Sequence, residues 1–210
     1  MSRTLLIFDL DGTLIDSRRD LATAVNLVRR HYGLPALSTE SVTGYVGDGI
    51  RNLIKRSLTG TDADLDEAVG LQRKFYREHM YDETVLYPDV ESGLRELHGR
   101  GYILATASNK ATVFCESILE HFKIRDLFTH VAGDGNTPVL KPHPGMFLEI
   151  MKLTGAVTDG TWAVGDNHTD IEAARRSGIR SIFVTYGFGT VGSEKPDKVC
   201  ASFKELLSMF

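Results

Sequence analysis

Cysteine is scarce in this chain: Cys115 and Cys200 are the whole complement. They stand alone and match no metal-ligand spacing. A disulfide framework is excluded as the basis of the fold, and a reducing compartment is expected. Long apolar runs are missing too. No segment approaches the ~20 residues a membrane helix needs. The opening stretch, MSRTLLIFDLDGT, is too short in apolar residues for a signal sequence and soon meets two aspartates. A soluble, cytoplasmic chain is expected. An excess of positive charge is also lacking. The formal net charge is −4, so a bulk nucleic-acid binder is not expected, although local basic spots could hold an anion. Internal repeats and low-complexity tracts are absent. What remains is 210 residues with 42% hydrophobic content. That suffices for one well-packed domain, or for a core carrying an inserted subdomain.

The apolar pattern divides the chain. Thr4–Leu10 is a short apolar run that meets acid at its end, followed by Gly12-Thr13. Runs of this kind fit a strand buried on both faces. Similar runs lie at Tyr102–Ala107, His130–Ala132, Thr161–Val164 and Arg180–Thr185. Helical patterns follow three of them, at Ala111–His121, His143–Leu153 and Thr169–Ser177, the last stopping at Gly178. Strands alternating with helices predict an α/β fold: a Rossmann-like parallel sheet core with helices on both faces.

The stretch from Asp16 to Leu86 breaks the alternation, with helical patterns and no convincing strand. Ser17 and Ser38 are candidate caps, and a further helix is expected over Asp62–His79. It reads as an all-helical subdomain, residues 16–86, inserted into a core of residues 1–15 and 87–210. Pro88-Asp89 would begin the helix that returns to the sheet. Ser193–Lys198 reads as a polar loop and Phe203–Phe210 as a terminal helix.

Ligands of open α/β sheets bind beyond the carboxyl ends of the strands, and four features fall there. Asp9-Leu10-Asp11-Gly12-Thr13 places two carboxylates at spacing two, where they can point the same way. One can act as a phosphoryl nucleophile and the other as acid and then base, while Gly12 permits a tight turn close to an anion. The plainer reading is a pair of strand-end carboxylates at a turn. Ser108-Asn109-Lys110 offers a hydroxyl and helix N-terminal amides to a phosphate; alone it reads better as a helix cap. Lys141-Pro142-His143-Pro144 offers a point charge that can neutralise phosphate; alone, an exposed loop lysine is the better reading, and His143 reads as a helix-start residue. Gly165-Asp166-Asn167-His168-Thr169-Asp170 sets Asp166 and Asp170 four apart at a strand-to-helix turn, suited to Mg2+. Its plainer reading is capping by Asp166 with Asp170 favoured by the helix dipole, and His168 reads as a surface histidine. Zinc fits poorly, because no second His or Cys stands at ligand spacing. Each signal is modest alone. Their order along the chain is the stronger evidence.

FDLDGTLIDS, SNK, KPHP and GDNHTD, in this order, give a sequence that resembles the haloacid dehalogenase superfamily of phosphotransferases, in its phosphoglycolate phosphatase-like branch. The helical segment sits where that branch carries its cap, and Gly47-Asp48-Gly49 and Tyr186-Gly187-Phe188-Gly189 also look like it. The resemblance implies that Asp9 is nucleophile and Mg2+ ligand. Asp11 would protonate the leaving oxygen, activate water and lend its carbonyl to the metal. Ser108 would bind the phosphoryl group, with Gly12, Thr13 and Asn109 beside it. Lys141 would steady the charge. Asp166 would be a metal ligand, and Asp170 a ligand, an outer carboxylate or the partner of Lys141. Asn167 departs from the family, where Ser or Thr is more usual. Asp11 itself argues against a dehalogenase, since it implies an oxygen leaving group. The expected substrate is a small phosphate monoester, with 2-phosphoglycolate leading. Gly49 and Arg51, at the start of a cap helix, are the candidates for its carboxylate. A monomer and a homodimer both fit. The competing expectations are a sugar phosphomutase on the same scaffold, a non-catalytic anion-binding module, and a nucleotide-sugar transferase using the DxD pair. In the last, Lys141 and Asp166 would have no task.

Overall fold

The structure, a computed structural model, describes residues 4–210. In chain order its elements are β1 (Leu5–Phe8), β2 (Ile15–Asp16), α1 (Arg18–His31), α2 (Thr39–Thr43), α3 (Ile50–Ser57), α4 (Leu65–His79), β3 (Val85–Leu86), α5 (Val90–Gly99), β4 (Ile103–Ala111), α6 (Thr112–His121), β5 (His130–Asp134), α7 (Gly145–Thr154), β6 (Thr161–Gly165), α8 (His168–Ser177), β7 (Arg180–Val184), β8 (Lys198–Cys200) and α9 (Phe203–Leu207). The chain forms two compact units. One runs to Asp16 and resumes over Leu86–Phe210; the other is Ser17–Val85.

The first unit holds a six-stranded sheet in the order β5-β4-β1-β6-β7-β8, with every neighbouring pair parallel. β1 reads LLIF because all four of its side chains are buried. A central parallel strand covered by helices has no wet face and so shows no polar alternation. Leu5 and Ile7 pack with Ala105, Met146, Ile150 and Ala173. Phe8 points to the other face, stacking on Phe203 at 6.0 Å between ring centroids and meeting Phe128 edge-on. Each large side chain buried in this way contributes about 1.5–3 kcal/mol. The chain passes from β1 to β4 and β5 on one side, then crosses to β6, β7 and β8 on the other. β1 therefore borders the point where the winding reverses, and ligands of open α/β sheets bind beyond the carboxyl ends of the strands at such a point.

The second unit is built of α1–α4. Val25 and Val28 of α1 pack with Val42, Leu53, Ile54, Leu58 and Ala68. Buried Asp20 ties the two ends of this unit together: its carboxylate accepts from Glu83 N, Thr84 N and Thr84 Oγ1 at 3.0, 2.8 and 2.7 Å. Ser38 caps α2 as expected, accepting from Ser41 N. Ser17 occupies the cap position of α1, but its side chain makes no capping bond. The final helix of this unit starts at Leu65 behind an Asp64 cap, later than Asp62.

Three short strands, β2, β3 and β8, depart from the sequence reading. β8 extends from the end of the expected loop, and β3 pairs with β2 in a stretch read as strandless. Elements of three and two residues are too short to show a period. Among the described residues, no helix is long and apolar enough to cross a membrane.

Candidate active site

The sheet edge builds the site from β1 outward. Asp9 N donates to Val164 O at 2.9 Å, so the pairing of β1 with β6 continues one residue past the strand and fixes Asp9 at its carboxyl end. The next residues fold back at once. Leu14 N and Ile15 N donate to Leu10 O, and Gly12 N donates to Ile15 O at 2.9 Å. Gly12 holds φ +86, and a Cβ there would lie 2.0 Å from Asp166 Oδ2. Glycine is needed both for the left-handed backbone and to admit a carboxylate arriving from β6.

Lys141 enters from the segment between β5 and α7 and is fully enclosed. Its ammonium lies 2.6 Å from Asp170 Oδ1, 2.6 Å from Ala107 O and 3.0 Å from Asp9 Oδ1. The Asn109 side chain clamps its backbone: Lys141 N donates to Asn109 Oδ1 and Asn109 Nδ2 donates to Lys141 O, each at 2.8 Å. Burial alone would depress the lysine pKa, but Asp170 and Asp9 outweigh it and raise it. A buried cation of this kind is held only while its carboxylates stay in place.

Three carboxylates converge here. Asp9, Asp166 and Asp170 each bring an oxygen within 4.8 Å of the others. Burial, then the charges of Asp9 and Asp170, push Asp166 well above the usual carboxylate range. Burial pushes Asp170 up to about 6 against the opposing pull of Lys141. Asp166 Oδ2 accepts from Phe188 N and Gly189 N at 2.9 and 2.6 Å, which sets the rotation of the group. Asp170 spends Oδ1 on Lys141 and Oδ2 on Asn167 N. Hard oxygens crowded this closely, with negative charge disfavoured at Asp166, can hold a hard divalent cation.

The sequence candidates therefore separate. Asp9, Asp11, Gly12, Lys141, Asp166 and Asp170 meet at one strand edge. Ser108 is buried within β4, its Oγ 3.4 Å from Lys110 N. β4 runs through Ser108-Asn109-Lys110 to Ala111, with an irregular register after Ala107, so these residues lie in a strand and not at a helix cap. Asn109 is spent on the Lys141 backbone. Thr13 is fully buried, and its carbonyl accepts from Tyr186 Oη at 2.9 Å. The α8 cap is Asn167 in a capping box with Asp170, which leaves Asp166 out of the cap. His143 is exposed, and its Nδ1 accepts from Gly145 N at a helix start. Gly49 and Arg51 lie in the other unit, where Arg51 forms an exposed ion pair with Asp66.

Sequence reasoning gave no role to four contributors. Lys110 donates to both oxygens of Asp11 at 2.8 Å. Phe188 and Gly189 supply the amides for Asp166. Gly187 leaves room where a Cβ would stand 2.2 Å from Gly12 O. The late Tyr-Gly-Phe-Gly run was the available signal, but its role depends on where the loop returns.

A family model described as haloacid dehalogenase-like hydrolase matches residues 6–184. A phosphoglycolate phosphatase of Pseudomonas putida is 35% identical over 212 residues, covering 97% of this chain and 78% of that protein. One from Chromobacterium violaceum is 36% identical, covering 96% and 94%. A solved structure from Haemophilus somnus, described as a predicted phosphoglycolate phosphatase, superposes with TM-score 0.94 at 31% identity, covering 100% of this chain and 98% of that one. With its acid-lined strand edge and a family match over most of its length, the chain belongs to the haloacid dehalogenase-like hydrolases.

Proposed function

We propose that this chain is a Mg2+-dependent phosphatase that hydrolyses 2-phosphoglycolate to glycolate and phosphate through a phosphoaspartate on Asp9, in the cytoplasm. The observation that carries the reading is the pairing of Lys141 with Asp9 and Asp170 beside Asp166. The naming of full-length relatives as phosphoglycolate phosphatases supports the substrate.

The burial gradient suits these roles. Lys141 and Asp170 are enclosed, while Asp9 and Asp11 keep 11% and 12% of their side chains exposed. Asp9 attacks phosphorus, and the ester P–O bond breaks as the new O–P bond forms. Asp11 gives its proton to the departing oxygen. Water then attacks the phosphoaspartate while Asp11 takes back a proton, and phosphate leaves with Asp9 restored. Lys141 offsets the repulsion between a carboxylate nucleophile and a phosphate dianion, and Ser108 binds the phosphoryl group. Asp170 serves as the anchor of Lys141, since both its oxygens are occupied. Asp9, Asp166 and the Asp11 carbonyl would hold Mg2+, which when bound adds positive charge where the transferring group builds up negative charge.

The test is a panel of phosphate esters assayed with Mg2+, following phosphate release and trapping of the acyl phosphate. Stoichiometric phosphate from 2-phosphoglycolate with label on Asp9 is the expected result. Phosphate returned to a sugar would establish a mutase, and label on another residue would refute the nucleophile.

A further inference from the structure

Lys110 is a charged group of this site to which the proposed reaction gives no task. Its side chain is 6% exposed, and its ammonium straddles both oxygens of Asp11. The backbone that presents it is closely fitted. The β4 register breaks after Ala107, and Gly133 leaves room for the Lys110 carbonyl, which a Cβ there would approach to 2.7 Å. A lysine buried to this degree needs a fixed anionic environment.

We infer that Lys110 is a specificity residue that pairs with the carboxylate of the substrate's leaving group. The inference rests on the reading of Asp11 as the acid at the ester oxygen. That oxygen must come within roughly 3 Å of the Asp11 carboxylate, the same carboxylate that Lys110 touches at 2.8 Å. In 2-phosphoglycolate the carboxylate carbon stands two bonds, each about 1.5 Å, beyond the ester oxygen. That reach lets the substrate anion pair with the ammonium when Asp11 meets the leaving oxygen. Lys141 is a poor alternative, because Asp170, Asp9 and the Ala107 carbonyl already surround it. A lysine serves here because a compact, mobile point charge can lean from Asp11 toward the incoming carboxylate without breaking a forked geometry.

Lys110 also contacts the proposed acid, so the experiment must separate reading the substrate from positioning Asp11. Three substrates do so: 2-phosphoglycolate, ethyl phosphate and 4-nitrophenyl phosphate. The first two have leaving groups of equal length that both require a proton, and only the first is anionic. The third departs without a proton. Lys110→Met should lower kcat/KM for 2-phosphoglycolate about 10- to 100-fold more than for ethyl phosphate, and Lys110→Arg should recover part of the difference. Equal losses on 2-phosphoglycolate and ethyl phosphate, with 4-nitrophenyl phosphate spared, would make Lys110 a positioning residue for Asp11 and overturn the inference. Equal losses on all three would overturn it as well, making the role structural.

Should Lys110→Met not fold, the wild-type enzyme decides by inhibition. 3-Phosphonopropionate, the non-hydrolysable counterpart of 2-phosphoglycolate, should bind at least about tenfold more tightly than propylphosphonate. Equal inhibition constants would refute a carboxylate site. The outcomes also keep the two readings apart. Wild-type preference for ethyl phosphate over 2-phosphoglycolate would sink the proposed substrate. A wild-type preference that survives Lys110→Met would sink only the role of Lys110.

Discussion

At the scale of single residues, Asp9 and Asp11 differ in what their loss should do. Asp9→Asn replaces the proposed nucleophile with an amide, and turnover should fall by about 10³-fold or more, with no acyl phosphate trapped. Asp11→Asn removes the proposed proton donor. Its deficit should be about 10²- to 10⁴-fold for alkyl phosphates and clearly smaller for aryl phosphates, whose leaving groups need no proton. A deficit independent of the leaving group would remove Asp11 from that role. Glycine acts here by what it leaves empty. Gly187 stands where a methyl group would press on the Gly12 carbonyl at 2.2 Å and on the Asp166 side chain at 2.5 Å. Gly187→Ala must displace the Asp11–Gly12 turn or the Asp166 carboxylate. It should cost about 1–3 kcal/mol, or about 3–10 °C in Tm, and raise the Mg2+ concentration needed for half-maximal activity. An unchanged Tm and Mg2+ requirement would mean that the loop yields freely.

At the scale of elements, the turn from β6 into α8 carries two duties with few residues. Asn167 caps α8, accepting from Thr169 N at 3.2 Å, while its own N–H donates to Asp170 Oδ2. The same Asp170 holds Lys141 through Oδ1. Helix capping and lysine placement are thus joined in one carboxylate. The Ser or Thr expected at position 167 would cap equally well, so Asn preserves the box and the departure has a local explanation. Asn167→Ala should lower stability by about 1 kcal/mol, or about 2–4 °C in Tm. Asn167→Ser should restore it, as read by thermal denaturation. A Ser variant as unstable as the Ala variant would show that Asn167 acts by something other than its cap. β4 shows the same economy. Its broken register sends Asn109 to the Lys141 backbone and Lys110 to Asp11 from adjacent positions.

For the molecule as a whole, the buried carboxylates link folding to protons and to the proposed metal. Asp166 and Asp170 are raised above their ordinary range, chiefly by burial. A carboxylate raised on folding favours the folded state while protonated, at low pH, and that contribution is lost as pH climbs through the folded pKa. In EDTA, stability from this cluster should therefore decline from about pH 4 toward neutrality. A bound divalent cation removes that penalty by pairing with the ionised form. The Mg2+-induced rise in Tm should accordingly be larger at pH 7.5 than at pH 5.5, reaching about 5–10 °C at saturating metal. Ca2+, with longer bonds and more ligands, should restore little activity. A Mg2+ increment that does not change with pH would place the metal away from Asp166.

Much of this protein was legible in its sequence, for a local reason. LLIF ahead of Asp9-Leu10-Asp11-Gly12 announces a doubly buried strand ending in carboxylates, because burial on both faces removes the alternation and a strand end is where charge can resurface. The alternation of strands and helices, the helical stretch between β2 and β3, and the order of the acid, hydroxyl, lysine and acid motifs are likewise properties of neighbouring residues. β2, β3 and β8 escaped because two or three residues carry no period. Partnership among distant residues was not legible. Nothing near Lys110 in the chain points to Asp11, 99 residues away, and nothing in KPHP says that its lysine is enclosed. Those pairings exist because strand order sets β1 between β4 and β6, and because a register break turns Lys110 toward the first strand. The sequence by itself determined which chemical groups stand at the strand ends. Only the tertiary structure decided which of them touch, since contact across a parallel sheet depends on strand order and register, and neither is written in any local stretch of the chain.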